Sequence, residues 1–442
     1  MLFKDITILN EEFEPEEHMN VVTSGGVITY IGKEVPGAGA GRNAAPGLYS
    51  DPAEWEVYDG AGKLLMPGFV NAHAHSPMTL MRGYGENMVL QNWLNDRIFP
   101  FEAKLTGERV YWATLLAMAE SLRFGIVSTS DMYYFCDDMA RAVLDAKCLN
   151  NISRSITNFD DSDLWDIEGA AEMKKFYEEY NGADDGRIIV DMSLHAEYTS
   201  TEKTVRQLAE YTKEIGANMH VHVSETKAEH QQCMERHEGR TPVRYLSDNG
   251  LFDTKTTAAH CVHVTDEDIE ILREKGVTVA CNPVSNLKLA SGVCNVPKLL
   301  RSGVDVAIGT DSVASNNSLN MIEEMKVFAI APKMMFGDPT AVTPKEAIFA
   351  ATRAGALAQG RDCGVIREGA EADLTVLDID KPNMRPVHDM LNNIVYSASG
   401  SDVALTMVRG EVLYKDGEFT TIDVEKAECE TESAVRGILA EL

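Results

Sequence analysis

The stretch "FVNAHAHSPMTLMRG", Phe69 to Gly83, places two histidines two residues apart in an otherwise apolar run. Residues i and i+2 of an extended chain share a face, so His73 and His75 project together. Taken alone, the pair reads equally well as two metal ligands or as two hydrogen-bonded core histidines. The rest of the chain decides between these readings, and it decides the fold on the way.

"FVNAHAH" (69–75) is the first of eight short, apolar, β-branched runs. The others are "GIVSTSDM" (125–132), "RSITNF" (154–159), "RIIVDMSLHAE" (187–197), "NMHVHVSE" (218–225), "TAAHCVHV" (257–264), "VTVACNP" (277–283) and "VDVAIGTD" (304–311). Helix-like patterns fill most of the gaps, as in "ERVYWATLLAMAESLRF" (108–124) and "TDEDIEILREKG" (265–276), where Thr265 opens a capping box. Near-continuous apolar strands alternating with helices predict a parallel sheet covered on both faces. An open doubly wound sheet competes with a closed barrel here. The run ends favour the barrel, because His73, His75, Asp131, His195, Glu225, His260, Asn282 and Asp311 all fall at or near strand C-termini. A closed (β/α)8 barrel brings those ends to one face.

The flanks have a different rhythm. Short strands separated by turn residues occupy 1–66, and "ADLTVLDID" (372–380) and "VALTMVRGEVLYKDGEF" (403–419) repeat the pattern near the other end, with "KDG" as a hairpin turn. The expected architecture is α/β: a TIM-type (β/α)8 barrel over 67–369, inserted in a small β-sandwich domain formed by 1–66 and 370–442. "GAGAGRNAAPG" (37–47) lacks the last glycine of a dinucleotide-binding turn and reads as a surface loop. The last twenty residues read as a helix.

The formal charge of −29 argues against binding to nucleic acid or anionic membranes, which needs clustered Lys and Arg. No signal-peptide pattern opens the sequence and no apolar run is long enough for a membrane span. Eight cysteines without a C-x-x-C pair read as reduced thiols, which makes the cytoplasm the expected compartment.

Seven of the eleven histidines lie in the strand-like runs: 73, 75, 195, 220, 222, 260 and 263. His222 is nearer its strand end than His220, which would sit about 6.6 Å deeper as a supporting residue. His260 and His263 have opposite parity, which leaves His260 in the strand and His263 in the loop. Asp311 ends an apolar run and could simply cap the next helix. With three histidines converging on it, ligation is the better explanation. "HAE" (195–197) lacks the downstream P-C-x-x-C of the small zinc deaminases, and neither H-E-x-x-H nor G-x-S-x-G occurs.

"PGFVNAHAHSPMTLMRG", "HVHVSET", "AAHCVH" and "GTDSVASNN", in that order, resemble the amidohydrolase superfamily. The likeness is strongest to its deaminase and chlorohydrolase branch, which includes methylthioadenosine/S-adenosylhomocysteine deaminases, guanine deaminase and triazine hydrolases. It covers about residues 67 to 330, and "GAEADLTVLD" (369–378) resembles that family's returning β segment. The resemblance implies that His73, His75, His222 and Asp311 ligate one divalent metal, zinc ahead of iron(II) or manganese. It makes Glu225 the proton-transferring acid/base and gives His260 a hydrogen bond to the attacking water or the substrate. Glu225 could otherwise be a solvated residue at a helix start. The fourth strand ends in "LHAEY" without a lysine to bridge two metals, which favours a single ion.

Such a metal can lower the pKa of water from 15.7 to roughly 7. The resulting hydroxide would attack a ring carbon bearing an amino group. Asp311 would take the water proton, Glu225 would protonate the ring nitrogen, and ammonia would leave. The implied substrate is a small molecule, an adenine nucleoside: adenosine, 5′-methylthioadenosine, 5′-deoxyadenosine or S-adenosylhomocysteine. The resemblance assigns Glu102 to ribose hydroxyls, His195 to the nucleoside and Arg154, loosely, to the substrate side; a surface helix residue is the alternative for Glu102. Glu197 stands where that family carries a proline, a departure that could reshape this wall of the pocket. The loop "DDSDLWDIEGAAEMKKF" has no arginine to hold an amino-acid carboxylate, which weakens S-adenosylhomocysteine. Other rings (guanine, a pterin, a chlorotriazine) and a non-catalytic barrel scaffold are the alternatives, the latter opposed by the intact residue set. A homo-oligomer is expected from the family.

Overall fold

The computed structural model describes residues 1–36, 55–88 and 90–442, without the side chains of 90 and 91. The segment 37–47, expected to be a surface loop, lies outside the described residues. Strands β1 (Leu2–Leu9), β2 (Pro15–Ser24), β3 (Val27–Gly32), β4 (Val57–Asp59) and β5 (Lys63–Pro67) precede the first histidine pair. Parallel pairing begins with β6 (Phe69–Ala74), which lies beside β7 (Ile126–Tyr133). These are followed by β8 (Leu149–Arg154) and β9 (Ile188–Val190), completing a four-stranded sheet in sequence order. A second sheet, also parallel and in sequence order, holds β10 (Met192–Ala196), β11 (Met219–Val223), β12 (Thr256–His260), β13 (Thr278–Cys281) and β14 (Val306–Ile308).

Two isolated parallel bridges join the edges of these sheets. Ile156 pairs with Leu194, and Ala74 pairs with Asp311. Backbone bonds support each seam: His195 N donates to Ile156 O at 3.0 Å, and Asp311 N donates to His73 O at 2.9 Å. All eight residues of β7 are buried, as are all of β6 and β11, so apolar burial on both faces drives the pairing. Helices between strands begin on threonine caps at Thr106, Thr201, Thr226 and Thr265; the last forms its capping box with Asp268.

Two strand boundaries differ from the sequence reading. The third strand is Leu149–Arg154 rather than 154–159, because Asn150 and Asn151 are buried members of it. Polar residues inside the strand hide it from a hydrophobicity reading. The run 187–197 is broken at Asp191, whose carboxylate accepts from Asn151 Nδ2 at 3.0 and 3.1 Å and from Asn218 Nδ2 at 3.0 Å. That buried carboxylate ties three neighbouring strands together.

The remaining strands are β15 (Leu374–Asp378), β16 (Val403–Val408), β17 (Glu411–Lys415) and β18 (Glu418–Phe419). Among the described residues they join β1–β5 in one nine-stranded sheet of order β18-β17-β16-β15-β5-β1-β2-β3, with β4 on β1. β15 lies between β5 and β16, so the two chain ends are interleaved. A bridge from Val27 to Glu371 returns β3 to the residues entering β15. The sheet therefore curls around its own apolar cluster of Phe3, Ile6, Val21, Leu65, Val376 and Leu405. The β16–β17 and β17–β18 turns place Arg409-Gly410 and Asp416-Gly417 at positive φ, the hairpin geometry that "KDG" predicts. The terminal helix is Val424–Glu441.

Gly309 follows β14 where this strand passes closest to β6. A Cβ there would collide with Asn282 Oδ1 and would stand 2.8 Å from His73 Cβ and from the His73 backbone nitrogen. Backbone cannot yield as a flexible side chain can. Gly309→Ala should therefore lower the unfolding free energy by about 1–3 kcal/mol, read as a shifted urea midpoint at unchanged slope.

Candidate active site

Every site histidine uses Nδ1 to fix its ring. His75 Nδ1 donates to Met132 O at 2.5 Å, and His222 Nδ1 donates to His195 O at 2.7 Å. A carbonyl can only accept, so both rings carry the proton on Nδ1 and present a bare Nε2 when neutral. His73 Nδ1 lies 3.0 Å from His220 Nε2, and His260 Nδ1 lies 2.9 Å from Asn286 Oδ1. His220 is thus the deeper supporting residue that its register predicts. Ring centroids of His73 stand 4.8 Å from those of both His75 and His222. The ligand atoms of His73, His75 and His222 all lie within 4.8 Å of one another.

Asp311 completes the cluster. Its Oδ1 is 3.3 Å from His75 Nε2 and 3.6 Å from His73 Nε2, and it accepts from Ser312 N at 2.8 Å. Ser285 Oγ and Ser315 Oγ donate to Oδ2 at 2.6 and 3.1 Å. Burial works against this carboxylate's charge, but the contacts with His73 and His75 outweigh it and hold the group well below the usual range. Burial pushes the imidazole of His73 down to about 3 and that of His222 well below its ordinary value. Burial works against a charge on His75 as well, but its contacts with Asp311 raise its pKa, so the cluster holds neutral His73 and His222, an ionised carboxylate, and on His75 a proton that a bound metal would displace.

These residues fit a divalent metal. His73 Nε2 is buried without a hydrogen-bond partner and faces the cluster, and an orphaned buried nitrogen is costly unless something binds it. The backbone supports the same reading. Ser224, His260, Cys261 and Asp311 all adopt positive φ at strand ends. Non-glycine residues pay about 1–3 kcal/mol for that conformation, and such strain gathers at functional sites.

A cleft of about 770 Å³, part of it open to solvent, leads from the cluster. Glu225 lines the cleft, with Oε2 3.9 Å from His260 Nε2 and Oε1 accepting from Ser291 Oγ at 3.3 Å. Burial raises its pKa. Glu102, at the end of helix Phe99–Glu102, accepts from Tyr133 Oη at 2.8 Å, and burial raises its pKa to about 7 against that bond. His195 lines the same cleft, bonded through Nδ1 to Thr199 Oγ1 at 3.0 Å, and burial lowers it to about 4. Trp93, Leu94, Ile98, Phe99 and Tyr198 supply apolar and aromatic walls.

Arg154 stands apart from this set. Its guanidinium bonds to Glu172 Oε2 and to Ser155 O, both at 2.7 Å, and stacks 4.7 Å over the ring of Tyr134. It supports a cleft residue and does not line the cleft itself. The sequence reading missed Ser285, Asn286, Ser291 and Ser315, which orient Asp311, His260 and Glu225. They sit in "NPVSNLKLASG" and "DSVASNN", where no periodicity marks a serine as a donor.

The class that this fold and donor set define is that of the metal-dependent hydrolases. The chain belongs to the amidohydrolase family, whose model matches residues 64–413. It is 39% identical over 442 residues to a 5-methylthioadenosine/S-adenosylhomocysteine deaminase of Caldanaerobacter subterraneus subsp. tengcongensis, covering 99% of this chain and 98% of that one. A 5′-deoxyadenosine deaminase of Methanosarcina mazei is 40% identical over 388 residues, 87% of this chain and 88% of the relative. Among solved structures, an adenosine deaminase from Xanthomonas campestris with bound zinc superposes with a TM-score of 0.90 at 30% identity, over 99% and 98% of the two chains. Family and neighbour together support a divalent metal.

The raised pKa of Glu102 has a consequence for stability. The folded protein binds this proton more tightly than the unfolded chain, so the group's contribution is most favourable below about pH 4.5 and is lost as pH rises through about 7. Glu102→Gln should accordingly raise the melting temperature of the substrate-free protein at pH 8. The gain should shrink steadily as pH falls toward 4.5, a trend that paired thermal melts across this range will read.

Proposed function

We propose that this protein is a divalent-metal-dependent hydrolase that deaminates adenine nucleosides, releasing ammonia and the inosine analogue. One observation carries the reading: a single cleft joins the convergent imidazole–carboxylate cluster to a buried glutamate, Glu102, across apolar and aromatic walls. His73, His75, His222 and Asp311 would hold the metal, with zinc the ion of choice. When bound, the metal would supply Lewis acidity that lowers the pKa of water to near 7.

The chain's own residues account for the proton transfers. Asp311 Oδ1, ionised and held by the Ser312 amide, takes a proton from the attacking water. Glu225, whose burial favours the protonated form, donates to the ring nitrogen as the amino-bearing carbon becomes tetrahedral. Return of the first proton from Asp311 to the amine lets ammonia leave, while the hydroxyl proton remaining on that carbon's oxygen passes to Glu225, which forms the product carbonyl and restores the acid. His260, anchored through Nδ1, turns Nε2 toward Glu225 and the reacting atoms.

Glu102 accepts from the ribose hydroxyls and His195 borders the nucleoside. Arg154 is left out of the substrate set because its guanidinium is already occupied. Among the described residues no Lys or Arg lines the cleft, while Trp93, Leu94, Ile98 and Phe99 do. An uncharged 5′ substituent suits such walls better than an amino-acid carboxylate. Adenosine, 5′-methylthioadenosine and 5′-deoxyadenosine therefore rank above S-adenosylhomocysteine.

In this reading the two parallel sheets are one closed (β/α)8 barrel over about 67–369, a view that the Ile156–Leu194 and Ala74–Asp311 bridges support. Residues 1–66 and 370–442 form the small sandwich-type domain around it, supported by the interleaving of β15 between β5 and β16. Seven buried cysteines and one exposed, all unpaired, suit a reducing cytoplasm. No helix among the described residues is long and apolar enough to cross a membrane. Exposed Ile330, Met334, Met335 and Phe336, at the end of one helix, suit a homo-oligomer.

Ammonia release from metal-analysed protein should be fastest with the neutral 5′-substituted adenosines, weak with S-adenosylhomocysteine, and absent with guanine, a pterin or a chlorotriazine. Turnover of one of those other rings alone would overturn the substrate assignment. Glu225→Gln should keep its metal and lose about 10²–10⁴-fold in kcat, and Asp311→Asn should show no turnover. Loss of metal from the Glu225 variant would mean that this residue is a ligand.

A further inference from the structure

Glu197 is a buried carboxylate behind the cleft wall that the chemistry above does not use. It is 2% exposed, starts the turn Glu197–Thr199 after β10, and stands between two cleft residues, His195 and Tyr198. Burying a carboxylate is expensive unless charge and hydrogen bonds compensate it. Here Arg236 donates from Nη2 to Oε2 at 2.6 Å and from Nε to Oε1 at 3.2 Å, while His237 Nε2 lies 2.7 Å from Oε1. The ring of His237 is in turn stacked 3.8 Å from that of Tyr245.

What this clamp connects is specific. Arg236 ends the helix Lys227–Arg236, and the first turn of the same helix holds the loop that carries the acid/base. Glu229 in that turn accepts from Ser224 N at 2.9 Å and from Glu225 N at 2.7 Å. One rigid helix thus grips Glu225's backbone at its start and the His195–Tyr198 wall at its end. Tyr198 itself is 39% exposed at the cleft, its ring packed edge-on against His195 with centroids 5.9 Å apart. The turn is also tied by Thr199 Oγ1 to His195 Nδ1 and to Ala196 N, and by Asn158 N donating to Thr199 O at 2.8 Å, none of which holds the Glu197 side chain.

We propose that Glu197 is a positioning residue: its ion pair with Arg236 and His237 fixes His195 and Tyr198 against the substrate, so that affinity depends on a link that touches no substrate. The proposal rests on the cleft being the nucleoside site. A bound metal is the competing account, since Glu197, Cys233 and His237 offer ligand atoms within 4.8 Å of one another. The guanidinium of Arg236 already neutralises the carboxylate from two directions, and an incoming cation would have to displace it.

The test is steady-state kinetics on Glu197→Gln, Arg236→Gln and the double variant, with metal analysis and thermal melts on each. Whichever heterocycle the unaltered enzyme turns over serves as substrate, so failure of the adenine-nucleoside assignment shows in that enzyme and leaves this test standing. Each single variant is expected to raise KM about tenfold or more with kcat within threefold and metal content unchanged, and the double variant should be no worse than either single one. Unchanged KM, additive losses, or a fall in melting temperature with normal kinetics would each overturn the positioning role. A second equivalent of metal in the unaltered protein that disappears with Glu197→Gln would overturn it in favour of a cation site. Arg236→Lys restores charge without the two-pronged geometry, and it should recover KM only in part.

Discussion

The site depends on the occupation of four imidazole Nδ1 atoms. His73, His75, His222 and His260 are packed with ring centroids about 5 Å apart, where random ring rotation would leave their nitrogens pointing in conflicting directions. Each Nδ1 instead has a partner, either a backbone carbonyl, another imidazole or an asparagine amide. Two of the four partners are backbone carbonyls of the adjacent strand, Met132 in β7 for His75 just past the end of β6, and His195 in β10 for His222 in β11. The ring orientation is thus written into the strand register, because slipping either pair by one residue would remove the acceptor. For these two rings, inward-facing Nε2 atoms follow from parallel pairing itself.

The seam between Ala74 and Asp311 matters for the same reason. Asp311 sits at positive φ just past the short strand β14, and its amide is held by His73 O. The carboxylate and the first histidine are therefore joined by backbone as well as by side chain. Gly309 lets the two strands come close enough for this, and Ser285, Ser312 and Ser315 then fix the carboxylate's two oxygens. A strained residue with three donors is stable only where the surroundings over-determine it. The strain is carried by the scaffold and spent on direction.

The placement of the histidine pairs, Glu225 and Asp311 at or near strand ends was legible in the sequence because strand parity and strand-end position are one-dimensional properties. His220 could be placed below His222 by counting alone. The third strand was misplaced because it buries polar residues, among them Asn151, whose amide pairs with Asp191 in three dimensions, and polarity along the chain does not reveal such pairing. Arg154 shows the opposite error. A cation near a strand end looks available to a ligand until its partners, Glu172 and the ring of Tyr134, are known. The serine donors to Asp311 and Glu225 carried no signal, since a hydroxyl's role depends entirely on what lies 3 Å away.

Glu197 combines both lessons. It departs from a proline expected at that point, and the departure alone says only that the wall differs. A proline stiffens a turn through its fixed φ and needs no partner. A glutamate in its place leaves the turn to its hydrogen bonds, Thr199 Oγ1 to Ala196 N and Asn158 N to Thr199 O, and adds a side chain that needs a partner. Arg236 and His237 are that partner, about forty residues on, at the far end of the helix whose first turn holds Glu225. A long-range tie thus joins the cleft wall of His195 and Tyr198 to the loop that carries Glu225.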